Sequence, residues 1–165
     1  MYPSATTTAI IGGGFCGVLT AYQLLERGSA THRVLIFDPG PAQGKGIAYS
    51  TYSDKHLLNV QARNMSAFPD RPEHFVEWVQ RHPSFANDDH SSIPKRYLPR
   101  SLYGQYLYEL FHAMSNSHQE RIETVHSRII SMQRREGRWE LTAENGQRFL
   151  ADHTVLATGN FPPGK

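Results

Sequence analysis

The sequence predicts an α/β fold with a parallel sheet, a helical insertion and a three-stranded antiparallel β-meander. Three observations support this prediction. The first 40 residues alternate strand, glycine turn, helix and strand, which is typical of a parallel βαβ unit. Two helix patterns follow a loop-rich stretch at 39–72. Three short β-prone runs then alternate with hairpin-turn dipeptides.

Composition limits the class of protein. The chain has 165 residues, of which 39% are hydrophobic and 19% charged, with a formal net charge of +2. This length suits one domain over 1–165. A near-neutral charge without a basic block argues against a nucleic-acid partner, and no apolar run approaches the roughly 20 residues that span a bilayer. One cysteine allows no internal disulfide. We therefore expect a cytoplasmic protein without membrane or nucleic-acid partners.

The βαβ unit is built from short, clearly bounded segments. A β-prone run at Thr7–Ile11 ends in three glycines. Apolar residues then recur at the i, i+3, i+4 and i+7 spacing of one helix face, starting at Val18, and Gly28 stands where that helix should end. The run Arg33–Phe37 has the β-branched, apolar composition of a buried strand.

The insertion contains two predicted helices. Pro72 with flanking acidic residues indicates a helix start, and Phe75, Trp78 and Val79 form its inner face. The stretch 83–99 is polar, and we expect it to lie on the surface. A second helix follows Pro99, and it carries an apolar stripe that we expect to be core: Tyr103, Tyr106, Leu107, Leu110, Phe111 and Met114.

The last third of the sequence changes to β character. Runs at 124–132, 138–143 and 148–150 are separated by Glu-Gly and Asn-Gly dipeptides, which favour tight hairpin turns. They predict the three-stranded meander. One more buried strand, at 154–157, ends in Thr158 and Gly159.

The glycine turn at residues 12–17 carries the clearest chemical signal. Gly12, Gly14 and Gly17 match G-x-G-x-x-G between a strand and a helix, the context in which this pattern binds a dinucleotide pyrophosphate. The helix N-terminus would face the phosphates. A bulky residue at Gly14 would fill the phosphate space and resist the positive φ that we expect there. The alternative is a purely structural glycine turn.

Two further residues belong to this predicted site. Asp38 ends the second strand, where a carboxylate can accept hydrogen bonds from ribose hydroxyls; the alternative is a solvated loop acid. Cys16 lies inside the turn. A thiol at a helix N-terminus can be reactive, but without a second cysteine we favour a small side chain that packs beside the cofactor.

These segments together resemble FAD/NAD(P)-binding flavoproteins of the glutathione-reductase-like fold. More narrowly, they resemble a bacterial group of FAD-NAD(P)-binding oxidoreductases related to flavin monooxygenases and to lysine and ornithine N-hydroxylases. The resembling segments are GGGFCG at 12–17, which includes Phe15, then Asp38, GKGIAYS at 44–50, LNV at 58–60 and ATG at 157–159. The resemblance implies a Rossmann-like FAD/NAD(P)-binding domain and an NAD(P)H-dependent oxidoreductase or monooxygenase.

FAD is favoured over NAD because about 80 residues separate Asp38 from the meander. A ribityl chain and a three-ring flavin need such extra segments to line them. We expect Asn59 to bond along the ribityl chain, Lys45 to offset phosphate charge, and Arg100 to reach phosphate or the flavin edge. For each of the three, an ordinary turn or surface role is the alternative.

The resemblance adds three more positions and no catalytic residue. It implies that backbone groups at Ile129 hold adenine, although a core isoleucine fits equally well, and that Thr158 and Gly159 approach the pyrophosphate. The nine histidines form no H-x-H or H-E-x-x-H arrangement, so we expect no metal site.

Only one G-x-G-x-x-G is present in these 165 residues. Resembling enzymes carry a second, nicotinamide-binding region, so we expect this chain to be the N-terminal FAD-binding portion of a larger flavoprotein. We expect little turnover from it alone, and self-association through surface left by a missing C-terminal half. Two alternatives remain, an NAD(P)-binding domain without flavin and a non-catalytic nucleotide-binding or interaction module. The sequence does not identify the substrate or distinguish NADH from NADPH.

Overall fold

A computed structural model describes residues 5–40 and 44–160. Its strands, in chain order, are β1 (Thr7–Ile11), β2 (Arg33–Phe37), β3 (Ile122–Val125), β4 (Ile129–Arg135), β5 (Arg138–Ala143), β6 (Arg148–Ala151) and β7 (His153–Leu156). Its helices are α1 (Phe15–Arg27), α2 (Gly46–Tyr49), α3 (His74–Arg81) and α4 (Arg100–Ser117), with three 3-10 turns at Ala62–Asn64, Pro83–Phe85 and Ile93–Lys95. In this part of the chain, no helix combines the length and apolar character needed to cross a bilayer.

The described residues form two compact units. Unit 1 contains those up to Ile47 and those from Tyr108 onward, and unit 2 is Ala48–Leu107. The expected single domain over 1–165 stays a prediction.

A four-stranded parallel sheet forms the centre of unit 1, in the order β3-β2-β1-β7. Strand β1 pairs in parallel with β2 on one side and with β7 on the other, with Ile10 opposite both Ile36 and Val155. The predicted strands at the start of the chain are confirmed residue for residue, because β-branched and apolar side chains there are buried on both faces of the sheet.

Helix α1 covers one face of this sheet. It begins at Phe15, three residues before the predicted periodicity, and ends where the Gly28 N–H donates to the Leu24 oxygen at 3.0 Å. The C-terminal half of α4 packs against it through Phe111 and Met114. The buried side chains of this cluster are Ile10, Val18, Ala21, Leu25, Val34, Ile36, Phe111 and Met114. Full burial of a valine, leucine or isoleucine contributes about 1.5–3 kcal/mol.

The antiparallel sheet of unit 1 has the order β4-β5-β6 and covers a second core cluster. Leu141 and Ala151 are fully buried there, together with Ala9 and Phe37 of the parallel sheet. Both predicted hairpin turns form, with positive φ at Gly137 and Gly146. The α/β class with parallel sheet, helical insertion and meander is therefore confirmed.

One predicted strand is wrong, since the run 124–132 is two strands in two sheets. Strand β3 ends at Val125, which pairs with Phe37 in the parallel sheet, and β4 begins at Ile129 in the antiparallel sheet. Between them the Ser127 N–H donates to the Val125 oxygen at 2.8 Å, which turns the chain within three residues. This turn contains no glycine or proline, so the composition of the run 124–132 predicts one continuous strand.

Unit 2 contains the insertion, and both predicted helices form in the chain as α3 and α4. Most residues of 83–99 are exposed, as expected, but Phe85, Ile93 and Leu98 are buried. These three apolar residues are isolated among polar ones and follow no helix or strand period, so the sequence pattern does not predict their burial.

An aromatic cluster forms the core of unit 2 and includes one buried hydrogen-bond chain. The Ala67 N–H donates to the Tyr106 oxygen at 3.3 Å, and that oxygen lies 2.8 Å from Nδ1 of His74. The Tyr106 hydroxyl and the His74 imidazole are therefore hydrogen-bond partners. Burial, followed by the charge of Arg71, lowers the pKa of His74, while Glu77 opposes this.

We expect unit 2 to lose stability as the pH falls through the ordinary histidine pKa of 6.5. Below that value the unfolded chain binds a proton at His74 that the folded chain resists, so the stabilisation is complete only above it. Urea unfolding of the whole chain at neutral and mildly acidic pH measures this loss. His74→Gln keeps a polar side chain without a titrating proton, and its stability should depend less on pH; an unchanged dependence would contradict the assignment.

Candidate functional site

The carboxyl end of β1 is a topological switch point of the parallel sheet. From β1 the chain proceeds through α1 to β2 and then β3 on one side, whereas β7 pairs on the other side. Crevices outside the carboxyl ends of strands at such a point are where open α/β sheets bind ligands. The glycine turn leaves β1 at this point.

Gly12 is held by contacts from both neighbouring strands. Its N–H donates to the Phe37 oxygen at 2.8 Å, and its φ is +109°, a conformation that favours glycine. A Cβ on Gly12 would lie 2.2 Å from the Ala157 carbonyl oxygen and 3.2 Å from the Thr158 nitrogen. The glycine turn and the end of β7 therefore approach each other closely, and a side chain at residue 12 would prevent this approach.

Gly17 brings α1 close to β1. A Cβ there would lie 1.9 Å from the Gly12 oxygen and 3.4 Å from Cγ2 of Ile10. Any side chain would push the first turn of the helix away from the strand.

Gly14 is the N-cap of α1 and leaves the helix start without a side-chain cap. No acidic residue lies in the first turn of α1, and the Gly13 N–H just before the helix donates to Oδ2 of Asp38 at 2.6 Å. The φ of Gly14 is −76°, so the expected positive φ at this residue is wrong. The positive φ belongs to Gly12 instead, and the missing side chain of Gly14 lets the Gly46 Cα approach to 3.3 Å from its Cβ position.

Asp38 has a structural role in addition to the one predicted. Its Oδ2 accepts the Gly13 N–H at 2.6 Å and its Oδ1 accepts the Gly40 N–H at 2.7 Å. The carboxylate thus fixes the middle of the glycine turn. Each oxygen retains acceptor capacity, so a ribose hydroxyl can bond to the same carboxylate.

A second glycine-rich segment, residues 44–46, lies across the glycine turn, and we call it the strap. The Gly44 N–H donates to the Gly13 oxygen at 2.7 Å, and the Gly46 Cα lies 3.3 Å from the Cβ position of Gly14. Lys45 stands between these two contacts. Its Nζ lies 5.3 Å from the centroid of the Tyr108 ring.

Phe15 and Cys16 begin α1. Cys16 is exposed, and its carbonyl oxygen accepts the Thr20 hydroxyl at 2.7 Å. Thr158 and Gly159 follow β7 and are exposed, with a φ of +65° at Gly159. Ile129 opens β4, is half-buried and packs against the second core cluster.

Asn59 and Arg100 lie in unit 2, close to an isolated bridge between Leu57 and Pro99. Asn59 is exposed. The Arg100 N–H donates to the His56 oxygen at 2.8 Å, and its Nε donates to the Leu57 oxygen at 3.0 Å. Arg100 therefore ties the start of α4 to the segment that leads to Asn59.

The structure thus brings most of the predicted positions together in unit 1. Those that form the glycine turn or contact it are Gly12, Gly14, Phe15, Cys16, Gly17, Asp38 and Thr158, and Lys45 lies between the two strap residues that contact it. Sequence reasoning missed Tyr108, because no short-range pattern links it to a lysine 63 positions earlier. Within residues 5–40 and 44–160, no three His, Cys, Asp or Glu side chains converge in a metal-binding arrangement.

Comparison with known proteins agrees with this geometry. The sequence model of a family described as FAD-NAD(P)-binding matches residues 9–161. No curated protein matches the chain. A cyclohexanone monooxygenase variant from Rhodococcus sp. Phi1, solved with NADP+ bound, is 18% identical over 96% of this chain and 28% of its own, with a TM-score of 0.62.

Two other solved structures extend the comparison. A flavin-containing monooxygenase from Stenotrophomonas maltophilia is 20% identical over 96% of this chain and 42% of its own, with a TM-score of 0.60. A bacillithiol disulfide reductase from Staphylococcus aureus is 16% identical over 93% of this chain and 38% of its own, with a TM-score of 0.57. The chain therefore shares their fold over well under half of their length.

Proposed function

Because the chain belongs to the FAD-NAD(P)-binding family, we propose that its glycine turn holds the pyrophosphate of FAD. We further propose that the chain is the FAD-binding portion of an NAD(P)H-dependent oxidoreductase or monooxygenase. One observation supports this most strongly: α1 begins at the switch point of the sheet without a side-chain cap from Gly14, next to the close approach of Gly12 to Ala157. A helix N-terminus at that place suits a diphosphate.

The residues around the turn have complementary roles in this proposal. Amides at the start of α1 donate to phosphate oxygens in the space above Gly14, and Lys45 adds a positive charge. Asp38 accepts a ribose hydroxyl while it keeps its bonds to the loop amides. Thr158 and Gly159 contact the pyrophosphate from the β7 side.

The remaining predicted positions would hold the two ends of FAD. Backbone groups at Ile129 bind adenine, Asn59 bonds to the ribityl chain, and Arg100 contacts phosphate or the flavin edge. Bound FAD would supply hydride and electron transfer chemistry, and these residues would bind and orient it. The solved relatives include both monooxygenases and a disulfide reductase, so the fold does not select one reaction or substrate.

We expect the chain to bind FAD more tightly than NAD. About 80 residues separate Asp38 from the meander, a length of chain that lining a flavin needs and that a nicotinamide mononucleotide half does not require. Isothermal titration calorimetry of the same preparation with FAD, ADP and NAD measures the order of their affinities. Tighter binding of NAD would favour the alternative, an NAD(P)-binding domain without flavin.

Binding alone does not separate an enzyme portion from a non-catalytic nucleotide-binding module. Anaerobic reduction of the FAD-loaded chain by NADPH and NADH does, when followed at the flavin absorbance band. Because the sequence contains a single G-x-G-x-x-G, we expect reduction of the bound flavin to be slow and not to saturate with the concentration of NADPH or NADH. Rapid, saturable reduction would show that these residues include a nicotinamide site.

The proposal includes a cytoplasmic protein that binds no nucleic acid, consistent with its near-neutral charge of +2 and single cysteine. It also includes self-association of the isolated chain. Sedimentation velocity over a range of concentrations measures that self-association directly.

A further inference from the structure

Tyr108 occupies a position that the proposed FAD site does not yet explain. It lies on α4, is 38% exposed, and presents its ring to the Lys45 ammonium at 5.3 Å from the centroid. The His112 ring is also close, because the ring centroids of Tyr108 and His112 are 4.1 Å apart. The Tyr108 ring therefore lies close to an imidazole on its own helix and to the ammonium of a lysine from the strap.

The strap places Lys45 at the glycine turn by backbone contacts alone. Gly44 donates to the Gly13 oxygen at 2.7 Å, and Gly46 lies against Gly14 at 3.3 Å from its Cβ position. Consecutive Cα atoms are about 3.8 Å apart, so the Cα of Lys45 lies one residue from each contact. Its long side chain is not fixed by these bonds, and the Tyr108 ring is the group that receives its ammonium.

A contact near the C-terminal ends of α4 and α1 relates the position of Tyr108 on α4 to that of Cys16 on α1. Near the ends of the two helices, Nε2 of His118 lies 2.9 Å from Oε1 of Glu26. Tyr108 precedes His118 by ten residues, and Cys16 precedes Glu26 by ten. At about 1.5 Å per residue, ten residues correspond to about 15 Å along either helix. Tyr108 and Cys16 therefore each lie about 15 Å along their own helix from this contact.

We infer that Tyr108 is a positioning residue that holds the Lys45 ammonium beside the first turn of α1, so that Lys45 binds the FAD pyrophosphate. This inference rests on the proposed function and adds a residue to it. An aromatic face attracts a cation without neutralising it, whereas a carboxylate in the same place would compete with phosphate. The ring restricts the lysine and leaves its hydrogen-bond donors available to phosphate oxygens.

A double-mutant cycle on FAD affinity tests the inference with the whole chain. Lys45→Met should weaken FAD binding about tenfold or more, the range of a lost hydrogen bond to a charged group. Tyr108→Leu should weaken it about threefold, as for loss of a partly exposed cation–π contact. Tyr108→Phe keeps the ring face and should bind nearly as the unaltered chain does. The double variant should bind no more weakly than Lys45→Met alone.

Salt provides a second readout that a purely structural role for Tyr108 would not change. Affinity of the unaltered chain should fall with added KCl more steeply than that of Lys45→Met or Tyr108→Leu. Unaltered affinity in Tyr108→Leu, or independent effects that multiply in the double variant, would overturn the inference while the FAD proposal survives. Absence of FAD binding by the unaltered chain would overturn both. Circular dichroism establishes that each variant is folded.

Discussion

Gly12→Ala should cost roughly 2–5 kcal/mol of unfolding free energy, the sum of backbone strain and overpacking at one residue. Gly12 has a φ of +109°, and its Cβ would lie 2.2 Å from the Ala157 oxygen, a backbone atom directly after strand β7. Neither the Cβ of residue 12 nor the Ala157 carbonyl can move away without separating β1 from β7, because the Ala157 N–H donates to the Ile11 oxygen at 2.8 Å. Urea unfolding followed by far-ultraviolet circular dichroism measures the loss.

Gly146→Ala is the matched control for this substitution. Gly146 also has a positive φ, +83°, but no atom lies within 4 Å of its Cβ position. It therefore carries the conformational cost of about 1 kcal/mol without the steric one. Equal losses in the two variants would show that strand β7 does not approach the turn as described.

Gly14→Val should abolish FAD binding while the chain stays folded. The φ of −76° at Gly14 is one that any residue adopts, so the start of α1 is not strained, although the strap must shift away from the new side chain. The valine side chain would fill the space above the first turn of α1 and keep phosphate from its amides. Loss of two charge-assisted hydrogen bonds weakens affinity by more than about a hundredfold. Fluorescence titration with FAD, at a protein concentration where folding has been verified, measures it.

Gly14→Ala introduces a smaller side chain than valine at the same residue. Its Cβ would lie 3.3 Å from the Gly46 Cα, a tight contact that small shifts of the strap can relieve. We expect intermediate affinity for this variant. Unchanged FAD affinity in a folded Gly14→Val variant would mean that the phosphate binds elsewhere.

The parallel core and the glycine turn could be predicted because their signals are local. Strand β2 is a run of apolar and β-branched residues, and the turn follows β1 directly, with each glycine at its fixed spacing. Burial on both sheet faces and close backbone approach leave few other residue types possible at these positions.

The features that sequence reasoning missed depend on contacts between distant segments. The break between β3 and β4 is set by pairing of Val125 with Phe37, and nothing near residue 126 signals it. The burial of Ile93 depends on its surroundings in unit 2 and not on any period in its own segment. The contact of Lys45 with Tyr108 exists because the strap and α4 meet near the turn.

The most direct test of the FAD assignment uses the one cysteine in the sequence. Cys16 is exposed at the start of α1, inside the glycine turn, so its rate of modification by a thiol reagent reports on that turn alone. We predict that FAD slows modification of Cys16 in proportion to its measured occupancy. ADP, which shares the diphosphate and ribose, should also protect the thiol, and riboflavin, which has no phosphate, should not. If FAD binds by fluorescence titration and the modification rate of Cys16 stays unchanged, the pyrophosphate does not lie in the glycine turn.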